Sequence, residues 1–193
     1  MLRVIAGKYK GRRLRAPSGL DVRPTSDQLR ETLFNIISSR IEGSLFLDIC
    51  AGSGAVGIEA LSRGAESATF IEVGRRACFA LEENLRSLGI SDQAEIINRD
   101  AAAALKKLAS TNRQFDLVFF DPPYASPLYS KVMAMLASLD LIAPDGIAVV
   151  EHRAKSAIED CGELIAYRQV KQGESALTFF RRSDQSQSPD TGQ

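Results

Sequence analysis

From Ser44 onward, short apolar runs rich in β-branched and aromatic residues alternate with stretches in which apolar residues recur at helical spacing. That alternation is the pattern of βαβ units and implies a parallel sheet covered on both faces. Strands are expected at 45–50, 68–73, 94–98, 115–120 and 147–151, with helices at 56–63, 75–88, 101–109 and 128–139. Two last runs, 165–171 and 176–181, flank Gln172-Gly173-Glu174-Ser175 and predict an antiparallel hairpin, so the sheet should be mixed at one edge. Ahead of this core, Thr25-Ser26-Asp27-Gln28 reads as a capping box, followed by Leu29, Leu33, Ile36 and Ile37 at helical spacing. Residues 2–6 and 12–16 flank Gly7-Lys8-Tyr9-Lys10-Gly11 and predict a small hairpin. The expected organisation is an arm and helix over 1–43, an α/β core over 44–182, and a tail over 183–193 that has no apolar residue and is expected to be disordered.

Composition narrows what such a fold can do. At 193 residues, 45% hydrophobic and 25% charged, the chain fits one globular domain, and no apolar run approaches the roughly 18 residues that span a bilayer. The basic start, 1–10, lacks the apolar segment of a secretory signal, so a cytoplasmic protein is expected. Cys50, Cys78 and Cys161 match no disulfide framework or zinc spacing, and Cys50 and Cys78 read as buried small hydrophobes. With His152 as the single histidine, no metal is expected and a Ser/His triad is not supported. The chemistry is left to carboxylates, backbone groups or a cofactor. Net charge is zero, yet residues 1–40 hold nine Lys and Arg against Asp21, Asp27 and Glu31, so a basic arm precedes an acidic body.

The first core strand runs into Leu47-Asp48-Ile49-Cys50-Ala51-Gly52-Ser53-Gly54-Ala55-Val56-Gly57. Residues 52–57 match G-x-G-x-x-G between a strand and a helix, and Glu72 follows about twenty residues later at a strand end. A dinucleotide site would pass that test. Asp48 discriminates, because a carboxylate just before the loop repels a pyrophosphate and attracts the ammonium and sulfonium of S-adenosylmethionine. Glu72 is suited to accept both ribose hydroxyls, and Asp100, beside Ala101 after the third strand, to meet the adenine amine. The plainer reading is a tight turn with three capping acids. Residues 23–27, Thr25 among them, could close over the cofactor's amino-acid end, although a capping box explains them as well.

The fourth strand ends in Phe119-Phe120-Asp121-Pro122-Pro123-Tyr124. Two prolines fix the backbone after an acid, and the Pro122 carbonyl stays free to accept because proline donates no N–H. The amine of a nucleic-acid base is a poor nucleophile, since its lone pair is delocalised into the ring. Accepting its protons with the Asp121 carboxylate and the Pro122 carbonyl would localise that pair toward an incoming methyl group. Tyr124 offers a face on which an extruded base could stack, worth roughly 1 to 3 kcal/mol. A proline-stiffened turn with an ordinary packed tyrosine is the alternative.

Asp48 through Gly57, Glu72, Asp100 and the Asp121–Tyr124 tetrapeptide together resemble the class I methyltransferases acting on exocyclic amines. With Arg3-Val4-Ile5-Ala6-Gly7, Lys10-Gly11-Arg12-Arg13-Leu14 and Arg23-Pro24-Thr25-Ser26-Asp27 added, the chain resembles the RsmD family over 2–181. That resemblance implies a seven-stranded Rossmann-like fold, S-adenosyl-L-methionine as methyl donor, and the N2 amine of one guanine in 16S ribosomal RNA of the small subunit as acceptor. It also implies that Asp121, Pro122, Pro123 and Tyr124 stand at the target amine, and a monomer is expected. The residues themselves support something broader, a basic arm and an amine-methylating site. Arg3, Lys8, Lys10, Arg12, Arg13 and Arg15, with Tyr9 among them, place six cations and no acid in fifteen residues, which suits RNA phosphates.

Three other functions fit parts of this pattern. An adenine-N6 DNA methyltransferase uses a similar tetrapeptide but needs more than the roughly forty residues outside the core to read a groove. A non-catalytic ribosome assembly factor would have no use for Asp121 or the glycine loop. An NAD-dependent oxidoreductase has the loop but lacks an evident hydride-transfer acid or base. His152 reads as a structural histidine.

Overall fold

The computed structural model describes residues 2–17, 26–122, 127–156 and 160–183. The elements are α1 (Asp27–Ile36), β1 (Leu45–Ile49), α2 (Ala55–Ser62), β2 (Ser67–Ile71), α3 (Arg75–Leu88), β3 (Ala94–Ile97), α4 (Ala101–Ala109), β4 (Phe115–Phe120), α5 (Leu128–Ser138), β5 (Ile142–Arg153), β6 (Leu164–Gln172) and β7 (Ser175–Arg182). One seven-stranded sheet takes the order β3-β2-β1-β4-β5-β7-β6, parallel from β3 to β5 and antiparallel where β7 inserts between β5 and β6. This is a Rossmann-like sheet, and its order reverses between β1 and β4. Open α/β sheets form a ligand crevice at such a point, outside the carboxyl ends of the strands.

Strand alternation builds two cores. Phe46, Leu117, Phe119, Ile147, Val149, Leu177 and Phe179 pack with α1, α2 and α3, while Leu47, Ile49, Val118, Phe120, Ala148, Val150 and Phe180 pack with α4 and α5. Asp48 points to the α2 side, the first hint that it serves the glycine loop. Val4 and Leu14 of the arm join the first core. Among the described residues no helix is long and apolar enough to cross a membrane, and no group of three or more His, Cys, Asp or Glu could hold a metal ion.

Several expectations are corrected. The arm hairpin forms about the Arg3–Arg13 bridge, with Val4 donating to the Arg12 carbonyl, Gly11 to the Val4 carbonyl and Leu14 to the Leu2 carbonyl, but it is shorter than expected because the Ile5, Ala6, Tyr9 and Arg15 amides turn to side chains of α2 and α3. The cap of α1 is Ser26, whose hydroxyl accepts from the Leu29 amide at 3.1 Å. Leu29 therefore sits where a capping box needs Glu or Gln. The buried side of α1 is Leu29, Arg30, Leu33 and Phe34, with Ile36 only half-buried. Strand β5 starts at Ile142, five residues early, through a register shift opposite Phe115–Leu117. Gly146 makes that possible, since a Cβ there would stand 2.9 Å from the Phe115 carbonyl oxygen. The expected tail lies outside the described residues, apart from Ser183.

Candidate active site

The chain leaves β1 through a backbone turn that glycine would normally supply. Cys50 takes φ +66°, and the amides of Cys50 and Ala51 both donate to the Ile71 carbonyl. A cysteine in the left-handed region is strained, and such strain persists where the surroundings over-determine it. Cys50 is half-buried, so reading it as a buried hydrophobe missed its position. Cys78 is buried as expected.

Three acids converge on this turn. Burial, with Glu72, Asp121 and Asp48 nearby, pushes the Cys50 thiol up to about 12. Asp48 is 2% exposed, and its Oδ2 accepts from the Gly57 amide at 2.9 Å. Burial raises its carboxyl to about 7 despite that hydrogen bond, with Glu72 adding repulsion. Asp48 thus acts on a ligand through its field and through the loop it pins. Glu72 bridges the crevice, its two oxygens accepting from Gly52 at 2.8 Å and Gly74 at 2.7 Å. A carboxylate carries about four acceptor positions, so two remain for hydroxyls.

The glycines divide by function. A Cβ on Gly54, at φ +77°, would stand 2.2 Å from Leu81, and one on Gly57 would stand 2.3 Å from the Phe70 ring. Both are required for loop-to-helix packing. A Cβ on Gly52 would meet nothing within 4 Å, so space is open there. Ser53 is buried, and its carbonyl accepts from Asn84 at 3.0 Å.

Asp100 caps α4, accepting from the Ala103 amide at 3.0 Å, with Ala101 buried behind it. It is exposed, and a capping role accounts for one of its oxygens. Asp121 is half-buried, its amide donating to the Ile49 carbonyl at 3.2 Å, which ties the end of β4 to the end of β1. Pro122 is buried. Pro123, Tyr124 and Thr25 lie outside the described residues. Sequence reading missed two groups. Val73 is 69% exposed beside Glu72, an apolar face at the crevice. Asn98 donates to the Glu72 and Val73 carbonyls at 2.9 and 3.1 Å and fixes that turn.

The six arm cations are all exposed, and the arm is seated by its main chain. Glu59, fully buried in α2, accepts from Ile5 at 2.7 Å and Ala6 at 2.8 Å. Ser62 accepts at its carbonyl from Lys8 and at its hydroxyl from Tyr9. Gly7 lies so close that a Cβ would fall 1.8 Å from the Ser62 carbonyl oxygen. Asn84 pairs with Arg15 through both its amide and its carbonyl, so one buried side chain touches the arm and the glycine loop. Arg30 is buried beneath the arm, donating to the Arg3 carbonyl and to Asp27, and its desolvation lowers its pKa.

His152 is structural. Its Nδ1 faces the Arg153 carbonyl at 2.9 Å and must donate, so Nε2 accepts from the Thr178 hydroxyl at 2.8 Å. Burial lowers its pKa and keeps it neutral.

Residues 2–181 match the family model described as conserved hypothetical protein 95. The chain is 33% identical to ribosomal RNA small subunit methyltransferase D of Escherichia coli strain K12, over 97% of this chain and 93% of that protein. It is 38% identical to the protein of the same name from Haemophilus influenzae, over 78% of each chain. The solved structure of yhhF from Escherichia coli superposes with a TM-score of 0.84 at 34% identity, covering 95% of this chain and 98% of that one.

Proposed function

The chain belongs to the family described as conserved hypothetical protein 95, the RsmD family, and from that premise we propose that it methylates the exocyclic N2 amine of one guanine in 16S ribosomal RNA of the small subunit. Methylation of small-subunit ribosomal RNA follows from its relatives. The guanine, the amine and the residue roles are our reading. The observation that carries it is the convergence of Asp48, Glu72 and Asp121 on the Cys50 turn at the switch point between β1 and β4.

The residues present fit S-adenosyl-L-methionine. A buried acid held near 7 by desolvation gains from a cation placed close by. Glu72 keeps free acceptor positions for a ribose, Val73 presents an apolar face for a purine, and the loop is open above Gly52. Residues 51–54 and Gly57, with Asp48, Glu72, Asp100, Ala101 and Thr25, would hold the donor. When bound, it supplies a methyl carbon made electrophilic by sulfonium.

The remaining chemistry belongs to the chain. The Asp121 carboxylate accepts one N–H of the amine and the Pro122 carbonyl the other, which holds the nitrogen lone pair toward the methyl carbon. Forming the N–C bond would break the bond between the methyl carbon and sulfur and leave a neutral thioether, while the nitrogen becomes cationic and its surplus proton leaves toward Asp121. Tyr124 stacks on the extruded base. The exposed arm cations hold flanking phosphates.

The test is methyl transfer from labelled S-adenosyl-L-methionine to small subunits lacking the modification, to stripped 16S RNA and to unmethylated DNA, with Asp121→Ala alongside. Label recovered as N2-methylguanosine and lost in the variant is the expected result. N6-methyladenine in DNA would overturn the substrate while keeping the mechanism. No transfer despite tight cofactor binding would favour an assembly factor.

A further inference from the structure

We propose that the groove between the N-terminal arm and α3 holds a single-stranded segment of the substrate RNA, with Arg12, Arg13 and Arg86 on its phosphates and Phe79 stacked on an unpaired base. This rests on the reading of the chain as an RNA methyltransferase and adds α3 as a second wall of the interface. The groove has a volume of about 650 Å³ and is lined by Arg12, Arg13, Arg15, Glu83, Arg86 and Ser87, with Leu14 and Asn84 below. Four guanidinium groups face one carboxylate. That carboxylate, Glu83, is paired with Arg15, and Arg12 donates to the Ser87 carbonyl at 2.7 Å, so the two walls are fixed to each other. Preformed walls spare a bound strand the cost of ordering them.

Phe79 supplies the second observation. The other eight phenylalanines are at most 2% exposed, whereas Phe79 is 62% exposed. It shares a helix face with Glu83 and Arg86 at i, i+4 and i+7, which places it in line with the groove. Just before it α3 opens with Arg75 and Arg76, both exposed, and no acid stands in its first turn. Cations at a helix N-terminus oppose the macrodipole, and Gly74 offers no side-chain cap. A face that breaks a local rule without a packing gain points to a ligand. A lone aromatic between arginines does not suit an apolar protein partner, which would need a contiguous apolar patch. Aromatic stacking interleaved with cations is how single strands are held without regard to sequence.

The test is binding of unmethylated 16S RNA transcript across a salt series to wild type, Arg86→Glu, Arg86→Gln, Phe79→Ala and the arm double variant Arg12→Glu/Arg13→Glu. Thermal unfolding is followed in parallel, and since the α3 side chains are exposed their variants should unfold with wild type. Arg86→Glu should bind roughly tenfold more weakly near 0.1 M salt, with the salt slope reduced by about one, and Arg86→Gln should show most of that loss. Phe79→Ala should lose roughly five- to hundredfold with the slope unchanged. If all three α3 variants bind as wild type while the arm variant is weakened, the groove is refuted and the arm stands. If wild type itself does not bind the transcript, the RNA reading falls first.

Discussion

The arm and the strand-end crevice are tied down by the same device, a carboxylate accepting main-chain N–H groups, and they come out with opposite chemistry. In the arm the carboxylate belongs to the body. Glu59 takes the Ile5 and Ala6 amides, and every cation of the arm is left facing solvent. In the crevice the carboxylates belong to the site. Asp48 and Glu72 take the amides of Gly57, Gly52 and Gly74, and their charge remains under and beside the loop. Backbone capture thus freezes a loop in both places, and what differs is which partner keeps exposed charge. An exposed cation costs little and can be shared with a phosphate, whereas a buried acid is costly until a ligand cation meets it.

The comparison can be broken from either side. The largest effect is expected at Asp121→Ala, where methyl transfer should fall by roughly 10² to 10⁴-fold while cofactor affinity by calorimetry stays near wild type. Glu59→Ala removes the arm's anchor and strips a countercharge from buried Arg30. Urea unfolding should show a loss of about 3–5 kcal/mol, and amides of Ile5 and Ala6 should lose protection from hydrogen exchange. An unchanged midpoint would mean that the arm is not seated as described. Reversing charge at Arg12 and Arg13 should weaken RNA binding by one to two orders of magnitude near 0.1 M salt and flatten its salt dependence. Cofactor affinity should not move, and equal RNA affinity would remove the arm from the interface.

The smallest and most diagnostic effect is at Asp48. Its folded carboxyl titrates near 7, against roughly 4 when unfolded, so the folded protein holds the extra proton between those values. Stability contributed by that group therefore falls as pH rises from about 4 to 7. Asp48→Asn should melt a few degrees above wild type at pH 8, with the gain shrinking toward pH 5, yet should bind the cofactor more weakly. In wild type, cofactor binding should weaken as pH falls through about 7. A variant that is less stable at pH 8 would show that the carboxylate is not penalised by burial.

Much of the fold was legible because its periodicities are local. Helices over Arg75–Leu88 and Ala101–Ala109 begin and end where the spacing of apolar residues puts them, and the late hairpin follows from two apolar runs around Gly173. The glycine loop, Glu72 and Asp121 were readable too, since each sits at a strand end fixed by the same pattern. Less legible were features that depend on distant partners. Gly146 hid the first half of β5, and Arg30, charged at an apolar position, gave no sign of burial because its partners come from the arm and α2. Asn84 and Asn98 looked like ordinary polar residues until the chain brought carbonyls to them.

The sequence alone determined the α/β class, the place of the crevice and the residue types gathered there, because these follow from alternation, turn chemistry and charge. Tertiary structure decided how those residues are used. It sent the Glu72 oxygens to two glycine amides, seated the arm on Glu59, Ser62 and Asn84, and left Phe79 in solvent beside Arg86. The Glu72–Gly52 contact and the seating of the arm join groups far apart in the chain, and only packing of the whole molecule sets the distances at which a buried donor finds its acceptor.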